Sequence, residues 1–247
     1  MTRSVHLILG AHGAVGSDPA RRLAARGDAL VLLGRDGAKL AALAAETGAL
    51  PVTGDATVAA DVERAVQAAL SAHGRLDGAV NCVGSVLLKP AHMTRDEEFL
   101  ATLATNLHSS FWLVRAAAKA MEPSGGAIVL VSTAAAAIGL ANHEAIAAAK
   151  AGVEGLARSA AASYAARRIR VNCVAPGLVR SALTARITGS ESVLKASLAM
   201  HPLGRVGEPA DVARALEFLL DPANDWITGQ VLGVDGGLGM LKTRGNA

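Results

Sequence analysis

Five short apolar runs constrain this chain more than any other feature. Val5–Leu9, Ala29–Leu33, Ala79–Val83, Ala127–Val131 and Ile169–Val174 are nearly continuous in hydrophobic character. Strands buried on both faces look like this, whereas a half-exposed strand alternates. Leu50–Thr53 and Gln230–Val234 read as shorter strands. Ala-rich segments of helical length lie between them, over 14–26, 36–47, 58–73, 96–120, 143–166 and 209–220. Alanine suits every helix face and blurs the helical period, so strands and turns carry the reading. Strand alternating with helix predicts a parallel sheet with right-handed crossovers. The expectation is one doubly wound α/β domain of about seven strands over residues 1–247. Residues 178–203 have no strand partner and form a candidate substrate lid.

Composition excludes several classes. Hydrophobic residues supply 51% and charged residues 18% of the 247, which rules out a disordered chain. Aromatics are 2%, too few for a stacking platform for single strands. The formal charge of +3 is spread along the chain, so neither nucleic acid nor membrane is an expected partner. Two cysteines, Cys82 and Cys173, cannot build a disulfide framework, which fits a cytoplasmic protein. The apolar run Val5–Leu9 is too short for a signal peptide. The charge-free stretch 123–143 is broken by Pro123, Gly125, Gly126, Gly139 and Asn142, and reads as strand and loop, not a membrane span. No metal site is expected.

The first strand runs into Gly10-Ala11-His12-Gly13-Ala14-Val15-Gly16. Glycines at a strand–helix junction allow positive φ and close backbone approach. The helix that follows offers free N–H groups and a positive dipole end to a pyrophosphate. This reads as the dinucleotide-binding arrangement of a Rossmann fold, with a plain tight turn as the alternative. His12 either touches phosphate or is a solvent-facing turn residue. The second strand ends Leu33-Gly34-Arg35-Asp36, without the carboxylate that would take an NAD ribose hydroxyl. A guanidinium at Arg35 suits a 2′-phosphate, so NADP(H) is expected over NAD(H). Asp36 reads as the cap of the next helix.

With these residues in place, the chain resembles the short-chain dehydrogenase/reductase family over nearly its whole length. Asp55 matches the family's adenine contact. Asn81-Cys82-Val83-Gly84 stands where the family has Asn-Asn-Ala-Gly. Asn106 matches the tetrad Asn, and Arg170 to Gly177 resembles the approach to the nicotinamide pocket. Pro202-Leu203-Gly204-Arg205 and Ile227 to Gly237 resemble the C-terminal signatures. The turn departs slightly, with Ala14 at the usual middle glycine and Gly13 before it. The resemblance implies a cofactor group of Gly10, His12, Gly13, Val15, Gly16, Arg35, Asp55, Ala56, Asn81, Gly84, Lys150, Pro176, Gly177, Val179 and Ser181. It also implies a small-molecule substrate and a homodimer or homotetramer, for which the long Ala-rich helices over 96–120 and 143–166 are the candidate contacts.

The family tetrad is Asn, Ser, Tyr and Lys. Lys150 matches the Lys, but Ile146 stands four residues earlier, where the Tyr belongs. Isoleucine can neither donate a proton nor form a phenolate. Thr133 aligns with the Ser, beside Ser132. Tyr164, the one tyrosine, lies fourteen residues beyond Lys150, about 21 Å along a helix, and reads as a packing residue. His143 precedes Lys150 by seven, returning to within roughly 20° of the same helix face. In the enoyl reductase branch the Tyr precedes the Lys by seven, so His143 is either a replacement proton donor or a cap at the helix start. The candidate catalytic set is Asn106, Ser132, Thr133, His143 and Lys150. The expected function is an NADP(H)-dependent oxidoreductase for a small, apolar carbonyl, enone or quinone-like substrate. A non-catalytic NADP(H)-binding protein is the alternative.

Overall fold

The computed structural model describes residues 3–242. Seven parallel strands form one sheet in the order β3-β2-β1-β4-β5-β6-β7. They are β1 (Val5–Leu9), β2 (Ala29–Gly34), β3 (Leu50–Thr53), β4 (Gly78–Asn81), β5 (Gly126–Val131), β6 (Ile169–Pro176) and β7 (Val231–Val234). The five central strands carry almost entirely buried side chains, while β3 and β7, at the edges, are more exposed. The order reverses between β1 and β4, and ligands of open α/β sheets bind beyond the strand ends at such a switch.

Two layers of helices cover the sheet. One core joins it to α3 (Ala59–His73), α5 (Ser109–Met121) and α6 (Glu144–Tyr164) through Val62, Leu113 and Val153. The other joins it to α1 (Ala14–Ala25), α2 (Gly37–Thr47) and α9 (Pro209–Leu220) through Leu23, Leu40 and Leu216. Asp36 caps α2 as expected, accepting the Lys39 N–H at 3.1 Å. The 178–203 segment holds two short helices, α7 (Ala185–Thr188) and α8 (Glu191–Met200).

The expected single helix over 96–120 is corrected. It is α4 (Asp96–Leu103), a π-helical turn (Ala104–His108) and then α5. Side chains compete for the backbone there. Asn106 Nδ2 donates to Thr102 O, Ser109 Oγ to Thr105 O and Ser110 Oγ to Asn106 O. Such back-bonding loosens the regular ladder, and a π turn is one way a helix absorbs it.

Candidate active site

The Gly10–Gly16 turn crosses the end of β1. Gly10 has φ +71°, and a β-carbon there would lie 2.9 Å from Val83 Cγ2. Gly13 is the N-cap of α1, its carbonyl accepting the Gly16 and Ser17 amides. The Ala14 and Val15 amides have no partner among the described residues and point along the helix axis at its positive end. Backbone donors therefore survive the shifted glycine, and the turn fits a pyrophosphate.

His12 is not a solvent-facing turn residue. Its Nδ1 is buried without a hydrogen-bond partner. A β-carbon on Gly34, at the end of β2, would clash with that atom. The imidazole thus fills the place where an NAD-type carboxylate would stem. Beside it, Arg35 is 79% exposed, with a guanidinium nitrogen 3.8 Å from Asp55. Asp55 is held by the Thr57 amide and hydroxyl, both donating at 2.9 Å to Oδ1. Ala56 is buried in the core, so only its backbone can face a ligand.

Asn81 is fully committed within the protein. Its Nδ2 donates to Ser109 Oγ and Ser110 Oγ, each at 2.9 Å, and Oδ1 accepts the Val83 amide. This side chain clamps β4 to α5, which leaves the backbone at Asn81 as the part free to face a ligand. Asn106 is fully buried in the π turn. It donates to Ser85 Oγ and accepts the Ser85 amide, fixing the loop after β4. A β-carbon on Gly84 would lie 3.3 Å from Asn106 Oδ1 and 3.7 Å from Lys150 Nζ. Gly84 is therefore the point where Asn106 and Lys150 approach the cleft.

Lys150 lies in the buried stripe Ala145, Ile146, Ala149, Lys150, Val153, Ala157 of α6. Its Nζ donates to Val131 O at 2.7 Å. Burial pulls its pKa down to about 8, and burial pushes the nearby Cys82 and Cys173 thiols up to about 12. Both thiols are inert packing groups at neutral pH. Ile146, one turn before Lys150, is 4% exposed.

The neighbours Ser132 and Thr133 face opposite ways. Ser132 Oγ is bonded to Glu154 Oε1 at 2.8 Å and Lys150 O at 3.2 Å, which ties β5 to α6. Its hydroxyl is thus committed inside the protein, unlike that of Thr133. Thr133 accepts the Ala135 amide at 3.4 Å and reaches Pro176 O only at 3.5 Å, so its hydroxyl is nearly free. His143 is the N-cap of α6, with Nδ1 2.8 Å from Ala141 O. Nδ1 then carries the proton in the neutral ring, and Nε2 has no partner among the described residues.

At the end of β6, Pro176 closes the strand and Gly177 follows. Val179 is buried in the core and bridges to Gly207, so only its backbone faces outward. Ser181 and Thr184 pair through their hydroxyls at 3.1 Å and start α7. Sequence reasoning missed Ser85, Thr184 and Glu154. The last had a signal, because it follows Lys150 by four and shares its helix face. Among the described residues no cluster of His, Cys, Asp or Glu is placed to hold a metal. No described helix is long and apolar enough to cross a membrane.

A family model described as enoyl-(acyl carrier protein) reductase matches residues 10–239. An uncharacterized oxidoreductase of Mycobacterium tuberculosis is 37% identical, with 94% of this chain and 89% of that protein covered. Carbonyl reductase family member 4 of Danio rerio is 36% identical, with coverage of 95% and 98%. Galactitol 2-dehydrogenase (L-tagatose-forming) of Cereibacter sphaeroides is 35% identical, with coverage of 93% and 92%. The solved structure of a short-chain type dehydrogenase/reductase from Mycobacterium ulcerans superposes with a TM-score of 0.92 at 32% identity. It covers 97% of this chain and 92% of its own.

Proposed function

The chain belongs to the short-chain dehydrogenase/reductase family, and from that premise we propose that it is an NADP(H)-dependent oxidoreductase for an apolar enone or quinone-like substrate. The carrying observation is the buried Ile146 one turn before Lys150, in a site that keeps Lys150, Asn106 and Thr133.

The free amides of Ala14 and Val15 and the close turn at Gly10 fit a dinucleotide pyrophosphate. Arg35, free of an acid at position 34, takes the 2′-phosphate. A bound nicotinamide supplies the hydride. Lys150 would hold the nicotinamide ribose hydroxyls, and Thr133 would donate to the substrate oxygen as negative charge grows there. A saturated ketone would become an alkoxide needing a proton at once, and Ile146 cannot give one. An enone becomes a delocalised enolate, which persists until His143, having taken a solvent proton on Nε2, delivers it. The exposed Val86, Leu88, Leu183 and Met200 supply apolar surface, and Arg186 and Lys195 on the lid suit a negative substituent. The outer faces of α5 and α6 are the contact between copies in a homodimer or homotetramer.

The test is NADPH consumption against matched enones, quinones and saturated ketones. Turnover confined to the activated acceptors is expected. Tight NADPH binding with no turnover across the panel would replace this reading with a binding protein.

A further inference from the structure

His201, just past α8, is 3% exposed and hydrogen-bonds to two separate segments. Its Nδ1 lies 2.6 Å from Ser197 O, on the last turns of α8. Its Nε2 accepts the Leu178 amide at 3.2 Å, on the loop that follows β6. Both partners are backbone groups with fixed roles. A carbonyl only accepts and an amide only donates. One ring form satisfies both: neutral imidazole with the proton on Nδ1. The fit is close, because a β-carbon on Gly177 would stand 2.8 Å from Nε2.

The lid has little else to hold it. In α7 no residue is buried, and in α8 Ser197 alone is. Segments with few buried contacts open at low free-energy cost. The ring borders a cavity of about 370 Å³ lined by Gly177, Leu178, Arg205, Asp211, Arg214 and Asp235. The charges there are occupied. Asp211 holds Arg205, Arg214 and the Glu208 amide, and Asp235 holds the Gly237 and Gly239 amides. None of them hydrogen-bonds the ring, whose two nitrogens meet only backbone groups.

We propose that His201 is a proton-sensitive latch that ties the lid helix α8 to the loop after β6 and releases the helix when the ring is protonated. A proton on Nε2 would face the Leu178 N–H donor to donor, and the cavity gives the ring room to turn away. The latch therefore holds on the alkaline side and weakens as pH falls. Its effect on catalysis rests on the reading that this loop closes over the nicotinamide end.

Amide hydrogen exchange on the free protein tests the latch, with protection corrected for the intrinsic pH dependence of exchange. Between about pH 7.5 and about pH 5.5, where imidazoles titrate, protection of Leu178 and residues 191–200 should drop roughly tenfold or more. In His201→Gln the side-chain oxygen accepts the same amide without titrating, so protection should persist at both pH values. His201→Leu should be unprotected at both; if it does not fold, the glutamine variant against the native protein decides. Protection that does not change with pH in the native protein, or that falls equally in His201→Gln, overturns the proposal. NADPH affinity measured on the same two proteins separates the second reading. A pH-dependent latch with no differential effect on NADPH affinity keeps the latch and removes the nicotinamide end from this loop.

Discussion

The imidazole of His12 occupies the space that a side chain on Gly34 would need. The two positions are therefore coupled, and the absence of an acid at the end of β2 has a packing cause as well as an electrostatic one. Gly34→Asp alone should unsettle the turn and weaken both cofactors. Gly34→Asp with His12→Ser should restore the fold and favour NADH. Arg35→Ala should cost NADPH about 1.5–3 kcal/mol and leave NADH binding nearly unchanged. Fluorescence titration of the four proteins with both cofactors checks this; an equal loss for NADH and NADPH in Arg35→Ala would contradict it.

Ser132 and Thr133 should separate cleanly. Ser132→Ala leaves Glu154 without its 2.8 Å donor and should lower stability by about 1–2 kcal/mol with the rate kept. Thr133→Val removes the free hydroxyl and should lower kcat about 10²-fold with stability kept. Denaturant unfolding and steady-state kinetics on the pair read the two effects. If Ser132→Ala proves to be the kinetic variant, the assignment is reversed.

Lys150 predicts a pH dependence of stability. Its folded pKa is lowered to about 8 by burial, below the ordinary lysine value. Between the two values the unfolded chain holds a proton that the folded chain does not, so stability rises with pH across that window. Below about pH 8 both forms are protonated and the contribution levels off. Relative to Lys150→Met, the native protein should gain roughly 2–3 kcal/mol from pH 8 to the ordinary lysine value. Urea unfolding at several pH values measures the difference; parallel curves for the two proteins would contradict the burial account.

The proton route is tested at the start of α6. His143→Ala should lower the enone rate about 10²–10⁴-fold without weakening NADPH. Ile146→Tyr should confer reduction of saturated ketones, since Lys150 is already one turn away. An unchanged rate in His143→Ala assigns the proton to water instead.

Association between copies is read from the α5–α6 surface. Phe111 is exposed there, beside Trp112, over whose ring Arg115 lies at 4.6 Å. Phe111→Glu should turn an oligomer into 24.9 kDa monomers in sedimentation. A native protein that is already monomeric at micromolar concentration would contradict the proposed contact.

The sheet was legible because buried strands of this length have few other readings, and the glycine turn and Asp36 cap carry local backbone signals. What stayed hidden was side-chain direction. Ser132 and Thr133 differ only in which face of the chain they occupy after β5, and Asn81 matches a motif while turning its amide inward to Ser109 and Ser110. The break at Ala104–His108 was hidden because Ala104 and Leu107 suit an unbroken helix, and Thr105, Asn106 and His108 each cost a helix only a few tenths of a kcal/mol. His201 sits next to a proline-containing turn, and its two partners are backbone groups that no residue pattern encodes.

The π turn has a further consequence for insertions and deletions. It holds one residue more than an α-helical turn over the same span. Deleting a single residue from 104–108 would restore the regular ladder and keep the faces of α4 and α5, but would remove the bulge that aims Asn106 at Ser85. Asn106 would leave Ser85, and the loop after β4 would lose its anchor. Elsewhere in this Ala-rich chain a one-residue loss in a surface loop is easily absorbed; here the length of five residues is itself the functional constraint.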